Sequence, residues 1–486
     1  MAYEKMEEDF IVSVSTGGDN TNGGFFAYNY SSAGVDRTDQ DDPYVNIESS
    51  GTVTAYTVAG SGSPYNRKIA LSGYTVSADD IGNAVQTNAT GSGSSVHEGM
   101  LWIKAVDTVA NTWEFNYEVR GSGADYTPEA VVGKMGGSLA DPFFYRSKMQ
   151  TWYSRDYIFN IFLKSGTYTA AAGNALDSSA ITYMPYSERW FGYTTTRGDH
   201  REGGARPIID IPSSLNYTGT VLKMPDQWAS SVTFLEIHCG GQASVGIKLG
   251  GYHCVAYSCV VKDCDDGTGA APYPSAYYGT GFAVNCHAED CEYGYFYNIN
   301  CEKCTAKGCY TGFFLNYSKD RAANCIAWDC TLGFNLSNGD AYSCVNCVAY
   351  NCSGQGMIVL NRGSAFGCGA HSCGSGFHIH SYAGALLDCW AYNNTTNYHT
   401  GADNYVNVGV QTLTADPFED ASSGDFRLNS AAAGGALLAG KGVGIGGNTQ
   451  TSYEDIHAFV TEPSGGGGGG TTVPQGLHSI ESGINA

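Results

Sequence analysis

From Cys254 onward the pattern C-x-A-x-x-C returns as CVAYSC, CHAEDC, CTAKGC, CIAWDC, CVAYNC and CGAHSC, and a seventh copy, CWAYNN, puts Asn394 where a second Cys would stand. The leading cysteines are Cys254, Cys286, Cys304, Cys325, Cys347, Cys368 and Cys389, with gaps of 32, 18, 21, 22, 21 and 21 residues. A period near 21 is too short for helical repeats, which run to about 33 residues or more, and the Leu/Asn ladder of leucine-rich repeats is missing. It fits one coil of a right-handed parallel β-helix, three short strands joined by three turns. The long first gap holds DDGTGAAPYPSAYYGTG, a turn-rich insertion on one coil.

Within the motif, Cys and Ala stand two apart and so share one face of a strand. Stacked coils bring like positions over one another at about 4.8 Å. The expected interior is a Cys file, an Ala file (Ala256, Ala288, Ala306, Ala327, Ala349, Ala370) and a bulky file that includes Phe313, Phe334 and Phe377. Three residues after the second Cys comes Gly (Gly294, Gly312, Gly333, Gly376, displaced by one at Gly356), which is expected to supply a φ > 0 turn. Asn285, Asn324, Asn346 and Asp388, just before the first Cys, are expected to form a turn ladder. Three positions after the first Cys stand Tyr257, Glu289, Lys307, Trp328, Tyr350, His371 and Tyr392. The aromatic members Tyr257, Trp328, Tyr350 and Tyr392 have the composition of an exposed contact surface.

Composition supports the fold class and narrows the partners. Of 486 residues 65 are Gly and 34 Tyr, and only 15 % are charged, which suits β-rich surfaces more than helical bundles. A net charge of −22 disfavours nucleic acid and anionic membrane surfaces as partners. The opening MAYEKMEEDF has no basic start followed by an apolar run, so no secretory leader is expected and synthesis in a host cytoplasm is. The layout read from these patterns is all-β. An N-terminal β region and cap spans 1–140, a short connecting helix 141–155, the β-helix 156–415, and an irregular C-terminal tail with a poly-Gly linker 416–486.

Two segments carry a resemblance. LKSGTYT followed by WFGYTTTRGDHREGGARPIID resembles the entry into the β-helix of virion-associated proteins of tailed bacteriophages, many of them marine. DIGNAVQTN…GMLWIKAVDTVANTWEF is similar to the small β region those proteins carry before the helix, and C-x-A-x-x-C-x-x-G-F is similar to their coils. The resemblance covers roughly residues 45–400. It implies a structural role on a phage particle, as head decoration, fibre or tail component, and brings no agreed catalytic residues.

The side chains that bear chemistry are weighed next. The 17 cysteines are spread along an axis, one pair per coil, whereas Zn ligands converge on a point, so inward packing is expected and neither metal nor cofactor is. Carboxylates gather at the insertion, Asp263, Asp265 and Asp266 on one coil and Glu289 and Asp290 on the next. Paired carboxyls about 5–10 Å apart cleave glycosidic bonds, and Tyr273, Tyr277 and Tyr278 could stack on sugars. The competing reading is solvated turns, since Asp290 shares its column with Ser258, Gly308, Asp329, Asn351, Ser372 and Asn393. His371, His378, His380 and His399 fall on the last coils, with His378 and His380 on one strand face.

The expected function is a non-enzymatic component of a virion exterior, a rigid homotrimeric contact rod touching other virion proteins. The alternative is a tail-spike-like glycan-binding protein or polysaccharide depolymerase with carboxylates near the 263–292 coils, meeting a host surface glycan.

Overall fold

The structure, a computed structural model, describes residues 8–18, 25–27, 55–58, 65–72, 75–78, 84–87, 99–120 and 142, and between 157 and 438 the coil strands with their short turns. The expected connecting helix, Asp266 and the poly-Gly tail lie outside the described residues. The chain divides into two compact units, 1–248 with 257–272, and 249–256 with 273–486. Both are built of parallel β-helix coils, as the 21-residue period requires.

In the first unit, strand Tyr157–Lys164 pairs in parallel with Ser187–Tyr193, which pairs with Ser231–Thr233. Gly166–Thr169, Pro207–Asp210, Glu236–His238 and Val260–Lys262 form a second parallel ladder. Strand Glu8–Val14 runs parallel to Tyr157–Lys164 over seven residue pairs, so a piece of the N-terminal region completes the outermost ladder of this unit. That covers backbone groups that would otherwise form an open edge. Phe25–Ala27 pairs antiparallel with Glu8–Val14, and the other described N-terminal strands make a five-stranded antiparallel sheet, in the order 55–58, 65–72, 112–120, 99–107, 84–87.

In the second unit each coil contributes one strand to each of three parallel sheets. The first sheet holds Gly281–Val284, Ile299–Glu302, Arg321–Ala323, Ser343–Val345, Ser364–Phe366, Ala385–Leu387 and Val406–Val408. The second holds His287–Glu289, Thr305–Lys307, Ile326–Trp328, Val348–Tyr350, Gly369–His371, Trp390–Tyr392 and Gln411–Thr412. The third holds Ser275–Gly279, Tyr293–Phe296, Thr311–Leu315, Leu332–Leu336, Gln355–Leu360, Ser375–His380 and Thr396–Thr400. Ala288, Ala306, Ala327, Ala349, Ala370 and Ala391 lie in direct register down the second sheet. The rings of Tyr277, Tyr295, Phe313 and Phe334 stack inside at 4.9, 4.6 and 4.7 Å, with planes within 5° of parallel. Burying each such ring contributes about 1.5–3 kcal/mol. Tyr295 keeps its phenol satisfied by donating to the Cys286 carbonyl at 2.8 Å.

All 17 cysteines are buried thiols, none joined in a disulfide. Their thiols follow a rule. From Cys304 on, alternate first-file thiols donate to a carbonyl of the preceding coil, Cys304 to Ala283 at 3.1 Å, Cys347 to Ala322 at 3.4 Å and Cys389 to Ala365 at 3.3 Å, while Cys325 and Cys368 donate to the carbonyls two residues before them. Second-file thiols donate weakly to the Ala file, Cys330 to Ala306 at 3.6 Å and Cys373 to Ala349 at 3.7 Å. Cys is small enough for a crowded interior and still offers a donor. Asn394 takes over this role in the last copy: its amide donates to the Ala370 carbonyl at 3.0 Å and accepts from the Cys373 N–H at 2.7 Å.

The same rule corrects the register of the first repeat. The Ala256 carbonyl accepts the Cys286 thiol at 3.4 Å, and the Cys254 carbonyl accepts the Phe282 N–H at 2.9 Å. Ala256 therefore belongs with Ala283 in the first sheet and not with Ala288 in the second, and Cys254 and Tyr257 leave their expected files with it. In the first unit Cys259 immediately precedes Val260–Lys262 of the second ladder, as the first-file cysteines precede the strands of the second sheet, and its thiol contacts the Val232 and Tyr257 carbonyls at 3.5 and 3.3 Å. The first copy is thus CVVKDC, with Val261 at the Ala position. CVAYSC and CVVKDC overlap at Cys259, and spacing alone cannot choose between them.

The corners hold a second correction. The left-handed residues are Asn285, Lys303, Asn324, Asn346, Gly367 and Asp388 at one corner and Asp290, Gly308, Asp329, Asn351, Ser372 and Asn393 at the next, all with φ between 49° and 65°. Asn and Asp tolerate this region because their short polar side chains bond locally. Gly294, Gly312, Gly333, Gly356 and Gly376 are not left-handed. They are small because a Cβ would meet the next coil: at Gly312, the Gly333 carbonyl at 2.8 Å and Ala327 Cβ at 3.0 Å.

Ala327→Asp places an unpaired charge inside this stack and should yield no folded protein, whereas Cys325→Ala should fold and lose about 1–2 kcal/mol. Guanidinium unfolding followed by far-UV circular dichroism checks both, and equal severity would show that the thiol does more than fill space.

Candidate functional site

Consecutive strand residues point to opposite faces, so the residue after each stacked interior ring of the third sheet points outward. Tyr278, Phe296 and Phe314 are in register there. With Tyr273 and Tyr293 they form a continuous aromatic cluster within the second unit, in which Phe296 is buried and the other rings are at least partly exposed. Phe296 is its centre, 5.7 Å from Tyr278, 5.2 Å from Tyr273, 4.9 Å from Tyr293 and 5.0 Å from Phe314, centroid to centroid. Tyr297 stacks on Tyr278 at 5.2 Å. Tyr273 is 40 % and nearby Tyr310 54 % exposed. Burial, and then Glu292, raise the Tyr293 phenol pKa, so it stays protonated and able to donate. Tyr277, expected beside Tyr278 on the surface, is instead buried in the interior stack.

On the outward face of the second sheet, two coils carry His287, Glu289, Thr305 and Lys307. His287 Nδ1 lies 2.5 Å from Thr305 Oγ1, His287 Nε2 lies 3.8 Å from Glu289 Oε2, and Lys307 donates to Glu289 Oε1 at 3.1 Å. Lys307 also sits 5.2 Å over the Trp328 ring. His287 above all, and Lys307 with it, hold the Glu289 carboxyl far below the usual carboxylate range against the cost of burial. Glu289 is an ion-pair partner that stays charged, so it is no proton donor. In the first unit Glu236 has a like setting, 2.7 Å from His238 and 3.3 Å from Lys262. Burial opposes its ionisation, but the two partners outweigh it. Among the described residues no group of three or more His, Cys, Asp or Glu is placed to hold a metal ion.

Where the second sheet turns into the third, Asp329, Asn351, Ser353, Ser372, Gly374, Asn393 and Thr395 line an open polar groove of about 570 Å³. The Asn351 amide donates to Asp329 at 2.7 Å and the Asn393 amide to Ser372 at 3.0 Å.

Of the carboxylates singled out in the sequence, Asp263 and Asp265 are exposed, Asp263 on a left-handed turn, and Asp290 is an exposed left-handed corner residue. Only Glu289 joins a cluster. Its partners His287, Thr305 and Lys307 were missed as a group, although His287 and Glu289 share strand parity and Lys307 shares the Glu289 column.

The contact stripe needs correcting. Trp328, Tyr350 and Tyr392 pack against a cluster that includes Leu413, Phe418, Phe426, Leu428 and Leu438. The segment expected as tail begins with a hairpin, Phe418–Asp420 with Asp425–Leu428, followed by helix Ala433–Leu438. Phe426 meets Trp328 at 5.9 Å and Tyr350 at 5.5 Å, edge to face. The stripe is aromatic because the chain's own C-terminal segment covers it. His371 in the same column is 3 % exposed; its Nε2 lies 3.1 Å from Asp416 Oδ1, which also accepts from the Phe418 N–H at 2.9 Å.

Burial depresses the His371 pKa, with Asp416 acting in the opposite sense. The ring is held neutral, so its contribution is complete above the ordinary His value of about 6.5 and is lost as pH falls below it. Tryptophan fluorescence and proteolysis of the 416–438 segment should report loosening between pH 7 and 5, and His371→Gln should flatten that pH dependence. An equally steep profile in the variant would clear His371 of the role.

No family model matches the sequence, and no curated protein matches it. The chain is similar in fold to a Geobacillus virus E2 protein, ORF18, at 10 % identity and TM-score 0.31, over 52 % of this chain and 53 % of that one. It spans about half the length of that phage protein. It is also similar to a lacto-N-biosidase from Eubacterium ramulus (9 % identity, TM-score 0.28, 57 % of this chain and 65 % of that one). A third likeness is to the catalytic domain of an alpha-1,3-glucanase (6 %, TM-score 0.30, 62 % and 77 %). The expectation of a non-enzymatic chain is corrected here, since solved structures similar to it include carbohydrate-active enzymes. No described helix is long and apolar enough to cross a membrane.

Proposed function

We infer that this is a phage-borne parallel β-helix that binds a host-surface polysaccharide and acts on it, in the manner of a tail spike. The outer rings of Tyr273, Tyr278, Tyr293 and Phe314, packed around the buried Phe296, carry this reading. A solvent-edged set of rings with phenol groups at its rim supplies flat apolar area and hydrogen bonding together, which is what sugar rings ask of a protein. The surface is not covered by the C-terminal hairpin, which packs on the other outward face. The contact-rod reading loses its main support, because the stripe it relied on is already occupied.

For the chemical step, His287 is the candidate proton carrier on the adjoining face, with Nδ1 2.5 Å from Thr305 Oγ1 and Nε2 3.8 Å from Glu289 Oε2. Glu289 orients it, and Lys307 fixes Glu289. A protonated carboxyl acid of the glycosidase kind is not supplied by Glu289, which favours base-led cleavage over acid-led hydrolysis at these coils. The placement on a virion exterior, as a homotrimer in contact with other virion proteins, belongs to the same proposal and rests on the KSGTY and GYTTTRGD segments.

The test is affinity electrophoresis of the full chain against purified capsular and O-antigen polysaccharides, with size-exclusion chromatography to read cleavage. The double variant Tyr278→Ala, Tyr293→Ala should weaken binding at least tenfold, about 1.4 kcal/mol. His287→Ala should abolish cleavage while binding persists, and Asp263→Asn should change neither. Binding that survives loss of both rings would overturn the proposal.

A further inference from the structure

The outward column that begins with Tyr278, Phe296 and Phe314 continues through Asn335 and Ile358 to His378 and His399. The last two are paired in register on adjacent strands, Ser375–His380 and Thr396–Thr400. Their rings lie 4.6 Å apart, centroid to centroid, at 72°. His399 is exposed and His378 half-buried. Neighbouring strands of a parallel sheet are about 4.8 Å apart, so two imidazoles in one column can reach a single ion at the usual metal–nitrogen distance of about 2.0–2.1 Å.

We propose that His378 and His399 form a two-imidazole site for a first-row transition-metal ion of the Ni²⁺, Cu²⁺ or Zn²⁺ type. Neutral imidazole suits these ions and not the hard, oxygen-seeking Ca²⁺ or Mg²⁺. Two protein ligands leave the remaining positions to water. The column gives the pair its setting. Ile358, one coil back, is apolar, and the ring below the surface at this level, Tyr398, spends its hydroxyl on the Gln411 carbonyl at 2.8 Å. Neither competes for the ion. The buried thiols are a separate matter, since they are enclosed in the stack and committed to backbone carbonyls.

Isothermal titration of the reduced full-length chain with NiCl₂ at pH 7.5 tests the site. The expected result is one ion per chain in the micromolar range, with His378→Ala and His399→Ala each lowering affinity at least tenfold. His253→Ala, an exposed histidine elsewhere, should leave it unchanged, and CaCl₂ should give no heat and no competition. Because metal competes with protons for imidazole, affinity should fall as pH is lowered from 7.5 to 5.5. Circular dichroism of the variants separates ligand loss from misfolding. Equal Ni²⁺ binding by wild type and both histidine variants, or no binding by wild type, would overturn the proposal. The outcome is independent of polysaccharide binding.

Discussion

Every other property of the coils depends on the main-chain hydrogen bond from one coil to the next. The carbonyl of Cys286 accepts from Thr305, that of Cys304 from Ile326, of Cys325 from Val348, of Cys347 from Gly369 and of Cys368 from Trp390, all between 2.8 and 3.0 Å. A parallel ladder of this kind fixes residue i over its counterpart in the next coil. It turns a sequence period into a spatial file. Once the files exist, each must be filled by side chains that tolerate a copy of themselves, or of one another, above and below.

The fillings follow from that constraint. Flat rings stack in parallel, as Tyr295, Phe313 and Phe334 do, because dispersion and apolar burial both favour it. Cys and Ala occupy the narrow files, the thiol adding a weak donor that a methyl group lacks. The corners require a single left-handed residue, which favours Asn, Asp, Ser or Gly, with Lys303 the exception. The glycines three or four residues after the second cysteines answer a different demand, the approach of the next coil's carbonyl. Two kinds of small residue in one repeat thus have two separate causes.

Outside, the files are free to diverge, and they do so face by face within the second unit. The third sheet shows rings and then imidazoles. The second sheet shows an ion-paired group at His287, Glu289 and Lys307 and, further along, aromatic residues sealed beneath the C-terminal hairpin. The corner between them is lined by amides and hydroxyls. The stripe of Trp328, Tyr350 and Tyr392, packed against the C-terminal segment, serves stability. His371, neutral and enclosed against Asp416, ties the hairpin to the stack.

The sequence by itself determined the architecture. A period near 21 with Cys and Ala two apart admits one kind of stack, and strand parity separates inward from outward positions without coordinates. It also named Glu289, Lys307, Trp328 and Tyr278 as outward or candidate residues. It favoured CVAYSC, which has the Ala that the overlapping CVVKDC lacks, and missed the true register because register is set by hydrogen bonding to the preceding coil. Nor could it tell an exposed aromatic stripe from a covered one. Residues 413–438 lie outside the repeat, and which face they close over depends on shape and apolar fit in three dimensions. The grouping of His287, Glu289, Thr305 and Lys307 was decided the same way, by coils 18 residues apart in sequence being brought side by side.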